Sequence, residues 1–362
     1  MNDKIVRIKD IALNANVSTG TVDRVLHERG KVSKKVKERI LKIIKEMNYE
    51  PNLMARALGS SKTYRFAALI PDEQYDSYWH APRMGIMKAE KELKQYGVEV
   101  KYFPFNPYNA DSFIENARQI SEQSVDGIIL SPIFYREILP FLEQWKKENI
   151  PFVLFNTHIA DYSPLSYIGQ DSYQSGYLAG RLIHYGLPQP CSILIAHFDE
   201  EISNAAHLFK KEQGFRNFFI QNNIDQQYNI EKAELNSSNF SEFIDHLGGL
   251  IESMPELEGI FVTTSKAFEI ASYLKQRHIK RIKIVGYDLL PKNIHYLNTG
   301  FISFLINQNP KGQGYWGINQ LADHLIFKKE VPALKYLPLD IITKENANYF
   351  LDEENEDILL NS

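Results

Sequence analysis

The chain predicts two fold classes in succession: a small all-α head over its first fifty residues, then an α/β body built from two parallel-sheet halves. Three observations carry this. Apolar residues recur at helical spacing as far as Met47. From Tyr64 onward short apolar runs alternate with amphipathic stretches, and the alternation starts afresh after Gly186. Charge divides at the same place, with 14 Lys and Arg against 7 Asp and Glu in residues 1–62, and 27 against 38 in the rest. Such a basic head gains counterion release on a phosphate backbone, while an acidic body repels nonspecific DNA.

In the head, Ile8, Ile11 and Ala12 mark one face of a short helix, and Asn14-Ala15-Asn16 breaks it. Val17 then faces inward, and Ser18 is placed to cap a second helix burying Val22, Val25 and Leu26. Two short helices joined by a tight turn, the second opening on small hydroxyl residues, is the helix-turn-helix plan. A helical hairpin packed on a larger domain has the same periodicity. A third helix over 32–47 starts at Ser33 and lines up Val36, Ile40, Ile43, Ile44 and Met47. That closes a three-helix core and leaves Lys34, Lys35, Lys37, Arg39 and Lys42 for solvent or phosphates.

The wording separates the two readings. Ile8-Lys9-Asp10-Ile11-Ala12 is followed by Val17-Ser18-Thr19-Gly20-Thr21-Val22-Asp23-Arg24-Val25-Leu26, Lys31-Val32-Ser33, Glu38-Arg39-Ile40 and Asn48-Tyr49-Glu50-Pro51-Asn52-Leu53-Met54-Ala55-Arg56-Ala57-Leu58. In register over about fifty residues, this resembles the DNA-binding headpiece and hinge of the LacI/GalR family of bacterial transcription regulators. The resemblance implies base readout by Thr19 and Gly20, with Ser18, Thr21, Asp23, Arg24 and His27 also toward DNA and Lys34 near phosphate. It implies a hinge helix in which Asn52 and Ala55 lie on operator DNA and Leu58 enters the minor groove as a wedge. Two positions depart from the family pattern. Gly20 offers no discriminating side chain, and Asp23 stands where Ser is common. Asp23 either accepts from a cytosine amine or pairs within its helix with His27 or Arg24.

At 362 residues the chain is too long for one ordinary domain, and its 44% hydrophobic and 24% charged content is ordinary for a globular protein. The expected division is a headpiece over 1–50, hinge and linker over 51–62, an effector-binding and dimerisation domain over 63–350, and an acidic tail over 351–362 without the heptads of a tetramerising coiled coil. There is no apolar run of eighteen residues, and the N-terminus lacks a signal peptide's apolar core. The single cysteine, Cys191, reads as a structural thiol and fits a reducing compartment. The expectation is a cytoplasmic protein with no membrane partner.

Taken in order, the body begins with a buried strand over 66–70, ended by Pro71. A helix over 83–96 stops at Gly97, and a strand over 98–103 precedes a helix over 110–122. Strands over 127–130, 152–155 and 167–169 alternate with helices over 137–149 and 173–185. The second half repeats the scheme, with strands over 192–196, 228–235, 259–262, 282–287 and 301–306. Its helices cover 204–222, 240–253, 266–278 and 312–327. Two such halves place ligands at the carboxyl ends of their strands, and together they look like the type I periplasmic-binding-protein fold that the family uses for its effector. Gly312-Gln313-Gly314 lacks the rest of any phosphate-binding fingerprint, so no cofactor is expected.

The strand ends carry a set suited to a polyol: carboxylates and amides for paired hydroxyls, aromatic rings for the apolar face of a sugar. The resemblance maps an aromatic pair onto Tyr78 and Trp79, a cleft carboxylate onto Asp288, and an amide before proline onto Gln308. Asp76 lies beside the aromatic pair. Asn156 falls where relatives often carry Asp, and Thr264 where they often carry Asn. Lys211 falls in the stretch where an Arg is common. Asp171 reads equally as a ligand contact or as a helix N-cap. His80, His158 and His197 have no metal spacing. The expected function is a dimeric, sequence-specific transcription regulator, a repressor, whose grip on double-stranded operator DNA follows a carbohydrate in the cleft. The alternative is a sugar-binding sensor of the same fold without a transcriptional role. No nucleophile–base pair or metal set points to an enzyme.

Overall fold

The computed structural model describes residues 6–26, 29–47, 49, 62–198, 206–236 and 239–351. It divides into two compact units, residues 1–59 and 60–362.

The first unit holds α1 (Ile8–Ala15), α2 (Thr19–Leu26) and α3 (Lys34–Glu46). Ile11, Ala12, Ala15, Val22, Val25 and Ile40 are buried, with Val17, Leu26, Val36, Ile43, Ile44 and Met47 packed around them. The turn between α1 and α2 is made by Asn16 in the left-handed region, at φ 49°, a conformation Asn tolerates better than most residues. Ser18 opens α2 by accepting the Thr21 amide at 3.2 Å. Ser33 stands at the N-cap of α3 but makes no side-chain cap bond.

The second unit contains two six-stranded sheets. The first half is β1 (Tyr64–Pro71), α4 (His80–Leu93), β2 (Val98–Phe105), α5 (Ala110–Ser121), β3 (Gly127–Leu130), α6 (Tyr135–Lys147), β4 (Phe152–Phe155) and β5 (Ser166–Gly169). The chain then crosses to the second half: α7 (Ser172–His184), β6 (Cys191–Phe198), α8 (Ala206–Gln221), β7 (Tyr228–Leu235), α9 (Phe240–Ser253), β8 (Leu257–Val262), α10 (Ala267–Gln276), β9 (Lys283–Tyr287), α11 (Pro291–Asn298) and β10 (Phe304–Asn307). A second crossing brings α12 (Pro310–Leu325) and β11 (Leu334–Tyr336) back to the first half. A third sends β12 (Asp340–Ile342) to the second.

Strand orders are β11-β5-β4-β3-β1-β2 and β12-β10-β9-β8-β6-β7. Pairing is parallel throughout except for β12, which runs antiparallel to β10. The central strands β3 and β4 are buried at every residue, as continuous apolar runs between two helical layers should be. Sequence patterning missed α11 and the two short strands β11 and β12. Its strand over 301–306 shortens to Phe304–Asn307.

Both halves share one packing device. Helices α4 and α12 cross at Gly85 and Gly314, and α7 and α8 cross at Gly176 and Gly214. A Cβ on any of the four would fall on the opposing helix backbone, at Lys311, Pro82, Lys211 and Tyr173 respectively. Close approach, not a special φ, is what glycine supplies there.

Candidate functional site

On the head, Ser18, Thr19, Gly20, Arg24 and Lys34 are exposed, and Thr21 and Asp23 are half-exposed. Burial of Val22 and Val25 fixes which face of α2 turns outward. The Ser18 and Thr21 hydroxyls lie 2.9 Å apart, tying the start of that face together. Burial, then the Asp23 charge, raises the Tyr49 phenol pKa, so Asp23 lies toward the end of the head's core as well as on the outward face. His27, Asn52, Ala55 and Leu58 lie outside the described residues.

In the body, the strand ends gather most of the expected cleft residues. Asp76 accepts the Tyr78 amide at 3.0 Å and so starts the single turn Ser77–Trp79. That turn buries both aromatic rings, which meet edge to face with centroids 4.9 Å apart. Trp79 rests against Phe155 of β4. Asn156, at φ 65° just beyond β4, donates Nδ2 to the Tyr78 hydroxyl at 2.7 Å. Burial and then the Asp288 carboxylate keep that phenol protonated, which places Tyr78 of one half electrically within reach of the other.

From the second half, Asp288 follows β9 at φ 64° and is 1% exposed. Its two oxygens accept from Gln308, one from the backbone N–H and one from the side-chain amide. Lys211, on α8 and 2% exposed, donates to Thr263 O at 2.9 Å and to Gln308 Oε1 at 3.3 Å. Its ammonium sits 3.7 Å from the centre of the Tyr287 ring, a cation–π contact. Burial pulls Lys211 down from the usual lysine range, against the attraction of Asp288. Burial likewise pushes Asp288 up, against Lys211 and the Gln308 hydrogen bonds. Both charges are costly to bury, and each is held by the bonds around it, with Gln308 common to the two.

Asp76, Tyr78, Trp79 and Asn156 thus form one connected group and Lys211, Asp288 and Gln308 a second, related through the influence of Asp288 on Tyr78. Asp171 and Thr264 join neither by a hydrogen bond. Asp171 caps α7, its Oδ1 accepting from Tyr173 N and Gln174 N at 3.0 and 3.1 Å. Thr264 accepts weakly from Lys266 N. Three further residues take part, of which the strand-end pattern offered only Gln170, beside Asp171, and gave it no particular role. Gln170 donates to Gln308 Oε1. His197, read as an ordinary polar residue, is 1% exposed and bridges Thr263 Oγ1 at 2.9 Å and Glu212 Oε2 at 3.0 Å. His207 is held neutral by burial and then by Lys211, with its pKa lowered to about 3. The rims also approach each other, Lys266 lying 5.8 Å from the Tyr108 ring. Amides, a carboxylate and aromatic rings are groups that can accept and orient hydroxyls. Among the described residues there is no three-residue metal cluster, and no described helix is long and apolar enough to cross a membrane.

A family model described as bacterial regulatory proteins, lacI family, matches residues 7–52, and one described as a periplasmic binding protein domain matches residues 67–329. The chain belongs to the lacI family. Its members among the curated relatives include the ribose operon repressor of Halalkalibacterium halodurans, 28% identical over 302 residues covering 78% of this chain and 80% of that protein. The HTH-type transcriptional regulator MalR of Streptococcus pneumoniae is 25% identical, over 90% of this chain and 99% of its own. Among solved structures, one from Bacteroides fragilis described as a LacI transcriptional regulator is 30% identical with TM-score 0.75, over 80% of this chain and 100% of that one. GanP, a glucose-galactose binding protein of Geobacillus stearothermophilus, is 26% identical with TM-score 0.68, covering 79% and 99%. This lacI-family protein is therefore a ligand-controlled, DNA-binding transcriptional repressor and not an enzyme.

Proposed function

We propose that the controlling ligand is a sugar or sugar derivative, bound between Tyr78 and Trp79 on one side and Asp288, Gln308 and Lys211 on the other. One observation carries this reading: a buried carboxylate whose two oxygens are already oriented by Gln308 lies near enough to raise the pKa of Tyr78, the phenol held by the Asn156 amide. A carboxylate accepts a pair of vicinal hydroxyls, and aromatic rings cover the C–H face. Asp76 and Asn156 orient Tyr78. Asp171 serves first as a helix cap, and Thr264 stands at the rim. Relatives named as ribose and sucrose operon repressors agree with the class.

On DNA, α2 enters the major groove, Thr19 and Gly20 lie at base edges, and Ser18, Thr21, Asp23, Arg24, His27 and Lys34 lie alongside. Asn52, Ala55 and Leu58 form the hinge contact. The protein acts in the cytoplasm as a homodimer, one head per half-site of a near-palindromic operator. A thermal-shift screen with pentoses, hexoses, disaccharides, sugar alcohols and purines tests the effector class. Stabilisation by a sugar that also changes binding to the chain's own upstream DNA is expected. A shift by purines alone would overturn the carbohydrate reading.

A further inference from the structure

Gln170 has a position that neither helix capping nor contact with Tyr78 accounts for. It stands where the chain first crosses between the halves, is buried, and donates its amide to Gln308 Oε1 where the chain crosses back. Gln308 passes the connection on, donating Nε2 to Asp288. An ionised carboxylate only accepts, so Gln308 must turn its NH2 to Asp288 and its carbonyl to Gln170 and Lys211. Two further ties between crossings involve none of the cleft residues: Leu337 N donates to Gly169 O at 2.7 Å, and Asn307 Nδ2 to Asp340 Oδ2 at 3.3 Å. Gln313 adds a grip on the same residue, donating Nε2 to Gln308 O at 3.0 Å. The oxygens Gln170 Oε1 and Gln313 Oε1 are both buried and unpartnered. A half-satisfied buried network of this kind pays a penalty in one arrangement and favours a second in which those oxygens find donors.

We propose that Gln170 is a positioning residue that fastens the first crossing to the second through Gln308 and so links occupancy at Asp288 to closure of the two halves. A ligand hydroxyl donated to Asp288 competes with the Gln308 amide for the same carboxylate. Ligand and clasp are therefore coupled through one side chain, with the two crossings as the element that has two arrangements. The proposal rests on the cleft being the effector site.

Gln170→Met keeps the volume and removes both hydrogen-bonding groups; Gln170→Asn keeps the amide but falls a methylene short of Gln308. Spin labels at Gln119→Cys on α5 and Asp245→Cys on α9, both exposed positions, report the separation of the halves by electron–electron resonance in the full-length chain. The measurement is made alone and with D-ribose, with melting temperatures recorded alongside. Both Gln170 variants should lose the population at the separation seen here by roughly fivefold, the effect of one buried hydrogen bond, while remaining folded. Equal populations in parent and variants under both conditions would overturn the proposal. Loss of the population in the variants, with no response of the parent to ribose or the other screened sugars, would support the clasp and count against the sugar reading instead.

Discussion

Asp288 meets two demands at once: it is buried beside Lys211, and its oxygens are shared with Gln308. Asp288→Asn keeps the shape but loses the charge that attracts hydroxyl donors. It should weaken sugar binding by about 2 kcal/mol, roughly thirtyfold, in calorimetric titration, while leaving operator binding without sugar in place. Behind the cleft, the His197 hydrogen bond, followed by Arg216, holds Glu212 down at about 2 from its usual 4.5. A carboxyl depressed on folding binds its proton later than the unfolded chain does. Its stabilisation is thus fully present above about pH 4.5 and is lost as pH falls toward 2. Glu212→Gln should therefore destabilise the body by on the order of 2 kcal/mol at neutral pH and by little near pH 2, as read from urea unfolding at the two conditions. An equal penalty at both would show that packing, not charge, sets its role.

At the scale of elements, glycine has opposite effects at two helical positions. Gly176 lets α7 approach α8 until it lies against the backbone of Lys211, so the helix crossing also sets where that ammonium stands. Gly176→Ala must push the helices apart and should cost about 3 kcal/mol or more, with sugar affinity falling alongside. Gly249, in α9, has nothing within reach of a Cβ, and Gly249→Ala should stabilise by roughly 0.5–1 kcal/mol through helix propensity. Chemical unfolding of the two variants gives both signs. Elements with strong periodicity were legible in the sequence: the buried strands as apolar runs, the head as three amphipathic helices. The three-residue strands β11 and β12 were not, because they are half-exposed edges whose partners lie far away in the chain. Asp288 and Gln308 could be found from their wording at strand ends. Gln170 was visible only as a polar residue at a strand end, and its pairing with Gln308 was not, while the His197–Glu212 pair gave no signal, since only the crossings or the β6–α8 packing bring these partners near.

For the whole molecule, regulation requires that a ligand in the body change what the head does on DNA. Leu58 falls in the segment between the two, outside the described residues. Leu58→Ala should weaken operator binding by more than about tenfold while sugar affinity stays within a factor of about two, as measured by fluorescence anisotropy and calorimetry. Operator affinity equal to that of the parent would remove the wedge. Sedimentation should give a dimer in both proteins.

The last crossing has a consequence for how the body comes apart. Within nine residues, 334–342, the chain supplies the outermost strand of one sheet and then of the other, beyond the point where the matched domain ends at residue 329. A protease cut just ahead of this segment would strip both sheets in a single event, baring β5 and β10 together. The fragments would then carry two open edges ready to add a foreign strand. A preparation nicked there should therefore aggregate before it loses its helices, as light scattering beside circular dichroism would show.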